Sequence, residues 1–306
     1  MKPKKTYPLS CALLSIISIL TLTGGAWADT TSSAWKAQME TSLGLTQAVY
    51  SDNWTGGEAG SIIWVSDFHG KADKQLAPSW FLGNELKLAF GQTHSQSKET
   101  KRWAAPQKSS DKIRFDAILR LTRGWVVDPY AAGTLESQFL DASGSKKRYA
   151  NPMDLTETIG MARVLTNVPD VRVMSVRLGA GFREHITRLD DPVDPDKTLS
   201  KTTTDGGVEW VTDLALGSAK TKYSFNSKLT LFQALFNSEA DNLEDQPGAD
   251  YWKTVDINWD NTLRANVTAL LQVSLAWQLL YDKEISTGGR FKETLSLGIA
   301  YKLAYP

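Results

Sequence analysis

The feature that most constrains this chain is a period of two. In the stretch 79–92, Trp80, Leu82, Leu86, Leu88 and Phe90 fall on one face, while Gly83, Glu85, Lys87 and Gly91 fall on the other. The stretch 111–123 repeats the pattern with Ile113, Phe115, Ala117, Leu119 and Leu121 opposite Arg114, Asp116, Arg120 and Thr122. So do Tyr223–Leu235 and Phe291–Leu303. Successive side chains in a strand point to opposite faces, so each stretch predicts a β-strand with one apolar and one polar side.

About twelve such segments follow along the chain, near 37–50, 59–70, 79–92, 111–123, 131–140, 155–166, 171–183, 206–216, 222–236, 251–263, 267–281 and 291–303, with a total between 10 and 14. The connections between them alternate in length. Long polar stretches follow the third, fifth, seventh, ninth and eleventh segments, and mostly short ones follow the even-numbered segments; only the first odd connection reads as short. A barrel threaded through an outer membrane has that asymmetry, with short turns on one side and long loops on the other. The predicted fold class is therefore all-β, an antiparallel transmembrane β-barrel of about 12 strands. Trp35, Trp80, Trp210, Trp252, Tyr281, Phe291 and Tyr301, near segment ends, are the expected interfacial aromatics. A soluble, lipocalin-like barrel shares the alternation and is the competing architecture.

The N-terminal residues supply the compartment. Three lysines, an apolar run over about 13–22 and the close Ala26-Trp27-Ala28 have the layout of a secretory signal, which predicts a signal peptide at 1–28 and a single barrel domain at 29–306. Loss of that leader removes three lysines, leaving 31 basic against 34 acidic residues. Such a balance gives no support to a nucleic-acid partner. The only cysteine, Cys11, goes with the leader, so neither disulfides nor a thiolate metal site are expected. The expected location is the bacterial outer membrane, and the expected partners are its lipid and lipopolysaccharide, the barrel assembly machinery and a small solute.

Gly56 and Gly57 sit between two apolar runs in Val49–Trp64. A phosphate loop would need a helix after the glycines, whereas Ile62, Ile63 and Trp64 read as a strand and Glu58 would repel phosphate. The pair is expected to serve a hairpin turn. This element, Asn53-Trp54-Thr55-Gly56-Gly57-Glu58, followed by "LGNELKLAFGQT", "SSDKIRFDA", "WDNTLRANVTALLQVSLAWQLLYD" and "ETLSLGIAYKL", resembles the outer-membrane β-barrel family catalogued as domain of unknown function 3078. The resemblance runs through nearly the whole chain after the leader. It implies a barrel and brings no catalytic residues with it. Outer-membrane barrels usually end in an aromatic residue, whereas this chain ends Ala304-Tyr305-Pro306.

Candidate chemistry is sparse. The segment map places His69 at a strand end and His94 and His185 in loops; a hydrolytic barrel would need one of the two loop histidines to bond both a serine and a carboxylate or amide. Acidic runs near Asp190–Asp196 and Glu239–Asp250 could offer oxygen ligands to calcium, but the first lacks calcium-loop spacing and its prolines restrict wrapping, and both read as solvated loops. No cofactor, no metal and no enzymatic activity are expected. What remains is the inward face. Glu85, Asp116, Glu136, Glu209, Asp213 and Asp256 share it with Lys87, Arg114, Arg120, Arg177 and Lys228. We take Glu85, Lys87, Arg114, Asp116, Arg120, Arg177 and Lys228 as candidate lumen-lining residues. Both signs together suit a narrow passive or gated passage for small solutes, in which opposite charges pair across the lumen. The alternatives are a structural or surface-binding barrel acting through its external loops, an ion-paired plug without transport, and an outer-membrane lipid-modifying enzyme.

Overall fold

The computed structural model describes residues 34–50, 59–144, 146–168, 171–194, 197–217 and 221–305. The signal peptide expected at 1–28 and the glycine pair Gly56 and Gly57 lie outside the described residues. Twelve strands are present: β1 Lys36–Ala48, β2 Ser61–Ala77, β3 Trp80–Ser95, β4 Gln107–Leu121, β5 Asp128–Ser137, β6 Met153–Val168, β7 Arg172–Asp190, β8 Thr198–Leu216, β9 Tyr223–Asn237, β10 Asp256–Asn266, β11 Leu271–Tyr281 and β12 Arg290–Tyr305. Each pairs antiparallel with its sequence neighbours, and β1 pairs with β12 from Ala37↔Tyr305 to Gly44↔Gly298, so the sheet closes on itself. Closure removes the two unpaired edges that would otherwise be intolerable in lipid.

The outer wall explains why such a closed sheet needs a membrane. Leu43, Leu45, Ile159, Met161, Leu235, Leu295, Leu297 and Ile299 are all more than half exposed. A belt of that extent is not left facing water. Leu229, Leu231, Leu271 and Leu275 share the outward parity, alternating with Lys228 and Ser274, which line the interior. Trp35, Trp80, Trp210, Phe291 and Tyr301 are exposed large aromatics on or beside this wall. The protein is thus a closed transmembrane barrel of 12 antiparallel strands.

Connections after even-numbered strands are 2 to 6 residues long and those after odd-numbered strands 7 to 18. The two ends of the barrel are called here the short-turn end and the long-loop end. Three boundaries differ from the sequence expectation. The first odd connection spans 49–60 and is long, because β1 stops at Ala48 and β2 starts at Ser61. The polar run after the seventh segment is mostly strand: β7 and β8 continue as a paired ribbon to Asp190↔Thr198. Thr202, Thr203 and Thr204 are β-branched and need no apolar face once the ribbon rises past the lipid. Trp252 belongs to a short helical turn, Tyr251–Lys253, in the loop before β10 rather than to a strand end.

Small residues let the wall close tightly where large ones fill it. Gly160 and Gly179 face each other across β6 and β7. A Cβ on Gly160 would lie 2.1 Å from the Leu178 carbonyl oxygen, and one on Gly179 would lie 2.7 Å from the Tyr130 hydroxyl. Only glycine permits that approach.

Candidate functional site

The interior holds a cavity of about 1040 Å³. At the short-turn end it begins beside Asn167 and Gly217; toward the long-loop end it reaches Ser110 and Lys292, three and two residues inside the starts of β4 and β12. Its wall at β11, β12 and β1 carries a run of small side chains, Ser42, Ser274, Ala276, Thr294 and Ser296, beside the longer Glu40, Gln278, Lys292 and Lys302.

Charged side chains crowd the middle of this lumen, and the strand register shows why they reach so far. On β3 and β4, Glu85 stands opposite Asp116 and Lys87 opposite Arg114, two like-charge pairs that repel each other directly. Each group therefore turns elsewhere for a partner. Arg114 is buried and donates from Nε to Asp116 at 2.7 Å, from Nη2 to the same carboxylate at 2.9 Å, and from Nη1 to Glu136 on β5. Glu85 pairs with His69 at 2.6 Å and with Lys71 and Lys87, both at 3.5 Å.

Two further pairs span the lumen. Lys228 on β9 donates to Asp116 on β4 at 2.9 Å, and Lys112 on β4 donates to Asp260 on β10 at 2.6 Å. In the closed order β4 and β10 are six strands apart in either direction, so the second pair is diametric. Together the two pairs form bars across the cavity. Desolvated charges are tolerated only when paired and hydrogen-bonded in this way.

Nearer the short-turn end, Arg120 and Arg177 point inward with looser partners. Their nearest carboxylates, Asp128 and Asp213, stand at 3.6 Å, and both Nε atoms are buried without a hydrogen-bond partner. The guanidinium of Arg120 lies 5.1 Å from the Phe81 ring centre and that of Arg177 lies 5.7 Å from the Tyr130 ring centre.

All seven lumen candidates from the sequence thus point inward, six of them lining the cavity and Arg114 buried behind it. The sequence reading leaves out of the lumen set Lys112 and Asp260, the diametric pair, as well as Lys71, Lys292 and His69, the last of which it places at a strand end. Lys112 shares the inward parity of Arg114 and Asp116, a signal available from alternation alone.

The histidines sit differently from expectation. His69 lies inside β2, not at its end, because the polar run Lys71–Gln75 continues the strand. His94 lies in β3 and packs on Trp103, ring centres 5.0 Å apart; His185 lies in the β7 extension. His185 bonds the Asp154 carboxylate through Nδ1 and the Thr187 hydroxyl, 2.8 Å away, through Nε2. The hydroxyl partner is a threonine, not the serine a hydrolytic barrel was expected to show.

At the long-loop end a second cavity, about 370 Å³, lies between the β5–β6 loop and the end of β7. Asp141 anchors it. Burial would raise the Asp141 carboxyl, but hydrogen bonds from Ser143, Asn151 and Arg148 outweigh it and hold the group well below the usual carboxylate range. Arg148 also donates to Asp190 at 2.9 Å, pinning the loop to β7. Asp190 is therefore part of this clamp rather than of a solvated acidic loop. Among the described residues no group of three metal-ligating side chains occurs.

Residues 45–142 match the family model described as a protein of unknown function, DUF3078. No curated protein matches the chain. Among solved structures, the COG4313 outer membrane channel from Pseudomonas putida F1 is 13% identical, with 92% of this chain and 98% of that one covered and a TM-score of 0.40. The translocator domain of autotransporter NalP from Neisseria meningitidis is 10% identical, with 94% and 92% covered and a TM-score of 0.33. OccK7 (OpdD) from Pseudomonas aeruginosa is 9% identical, with 88% and 99% covered and a TM-score of 0.25.

Proposed function

We propose that the protein is a bacterial outer-membrane barrel that gives small solutes a narrow, gated route, with its long loops outside and its short turns in the periplasm. One observation carries this reading: the lumen holds a cavity of about 1040 Å³ whose middle is crossed by two ion-pair bars, Lys112–Asp260 and Lys228–Asp116. An inert plug would pack that space with side chains, since small barrels fill their interiors when nothing must pass. Lysine arms are flexible, so each bar opens by rotation of a single side chain. Glu85, Lys87, Arg114, Asp116, Arg120, Arg177 and Lys228 form the charged constriction in this account. Arg114 and Glu136 hold Asp116 in place for the second bar. Lipopolysaccharide around the outer half and the barrel assembly machinery are the partners this location entails.

Purified protein in planar lipid bilayers tests the reading. Discrete conductance steps are expected, larger and longer in the double variant Lys112→Ala, Lys228→Ala, which removes both bars. Silence from both proteins across salts and voltages would sink it.

A second reading rests on the Asp141 clamp, which rigidifies a polar external pocket. A surface-binding role would act there, and it predicts no change in conductance on loss of the bars.

A further inference from the structure

We infer that the passage favours small oxyanions, solutes bearing a carboxylate or phosphate group, over cations; this inference rests on the passage reading above. The chain as a whole is balanced, with 34 basic and 34 acidic residues. The cavity wall is not. It carries ten basic against seven acidic side chains, an excess of three positive charges.

The excess has a structural origin, for single carboxylates serve more than one cation. Glu40 faces Arg264 at 3.4 Å and Lys302 at 3.8 Å. Glu85 is shared by Lys71 and Lys87. Near the long-loop end, Lys292 has no ion-pair partner among the described residues. Charges of one sign in a narrow space with low-dielectric walls concentrate the opposite ion and set selectivity.

Arg120 and Arg177 supply the chemical class. The Phe81 and Tyr130 rings lie beside their guanidiniums, at 5.1 and 5.7 Å, while their own carboxylates stay at 3.6 Å, beyond hydrogen-bonding distance. A guanidinium held in this way presents a planar fork that matches a carboxylate or phosphate better than a halide. An anion entering from either end thus meets a surplus lysine or an under-paired arginine.

The test is the reversal potential of the wild-type protein in a planar bilayer under a potassium chloride gradient. It is expected to shift toward the chloride equilibrium potential, and to keep that sign when acetate replaces chloride. In the double variant Lys292→Glu, Lys302→Glu, which turns the wall's excess of three positive charges into one negative, the shift should move toward potassium. Phosphate added on the short-turn side should interrupt current in the wild type and fail to do so in Arg177→Gln. A conducting wild-type protein whose potential lies at zero or on the potassium side overturns the inference and leaves the passage reading standing. Absence of any conductance removes the passage reading itself.

Discussion

The two sides of the lumen are built from the same alternating strands and end up differently. On the side of β6 to β9, Phe232 and Thr158 are each 3% exposed and Val211 2%. The Arg183 guanidinium lies 3.7 Å from the Phe232 ring centre and donates to Asp205 at 2.8 Å and Asp256 at 2.8 Å. Gly181 makes room for the ring: a Cβ there would lie 3.0 Å from Phe232. On the opposite side, β11, β12 and β1 present Ser274, Ala276, Thr294, Ser296 and Ser42 to the interior, and these small side chains leave space that belongs to the cavity. The difference is one of side-chain volume at positions of one parity. A barrel of this size is therefore neither filled nor open by virtue of its strand number; inward residue size decides, wall by wall.

The packed side should be the more sensitive to truncation. Phe232→Ala removes the one large aromatic in it and is expected to cost about 3 to 5 kcal/mol of folding stability, as for other buried phenylalanines. Ser296→Ala on the hollow side should cost almost nothing. Urea-dependent folding into lipid vesicles, followed by gel mobility of unheated samples, measures both. Equal losses would mean that the two sides are not built differently.

The hollow side should instead distinguish its two faces. Leu297 faces lipid and Thr294 faces the cavity, although they lie three residues apart on β12. Arginine at position 297 is expected to destabilise by roughly 2 to 4 kcal/mol, the cost of a charge on the lipid face near the midplane. Arginine at 294 enters a wet, charged space and should be tolerated. The same folding assay reads the pair, and a penalty at 294 as large as at 297 would shift the register of β12 by one.

Much of this architecture is legible in the sequence alone. Alternation fixes parity, so the inward set from Glu85 to Lys228 and the outward leucines of β9, β11 and β12 could be read from spacing. What alternation does not show is a strand that is polar on both faces. Lys71–Gln75 in β2 and Thr198–Thr204 in β8 continue their strands where the wall meets a polar lumen or leaves the lipid, and the apolar signal vanishes there. His69, His94 and His185 were misplaced for that reason. The hollow and the bars also escaped, because they depend on which strands face one another after closure. Lys112 and Asp260 are 148 residues apart in sequence and meet only in the ring.

The division between a filled and a hollow side is the central claim, and thiol accessibility tests it most directly. Cys11 is the chain's only cysteine, so single cysteines placed in a Cys11→Ser background report without interference. Ser274→Cys and Ser296→Cys line the cavity; Thr158→Cys and Val211→Cys replace residues that are 3% and 2% exposed. With the folded barrel in vesicles, a charged, water-soluble thiol reagent is predicted to label positions 274 and 296 and to leave 158 and 211 unmodified until the protein is denatured. Protection at all four positions would show a lumen filled throughout, and labelling at all four would show one that is open throughout; either result contradicts the account.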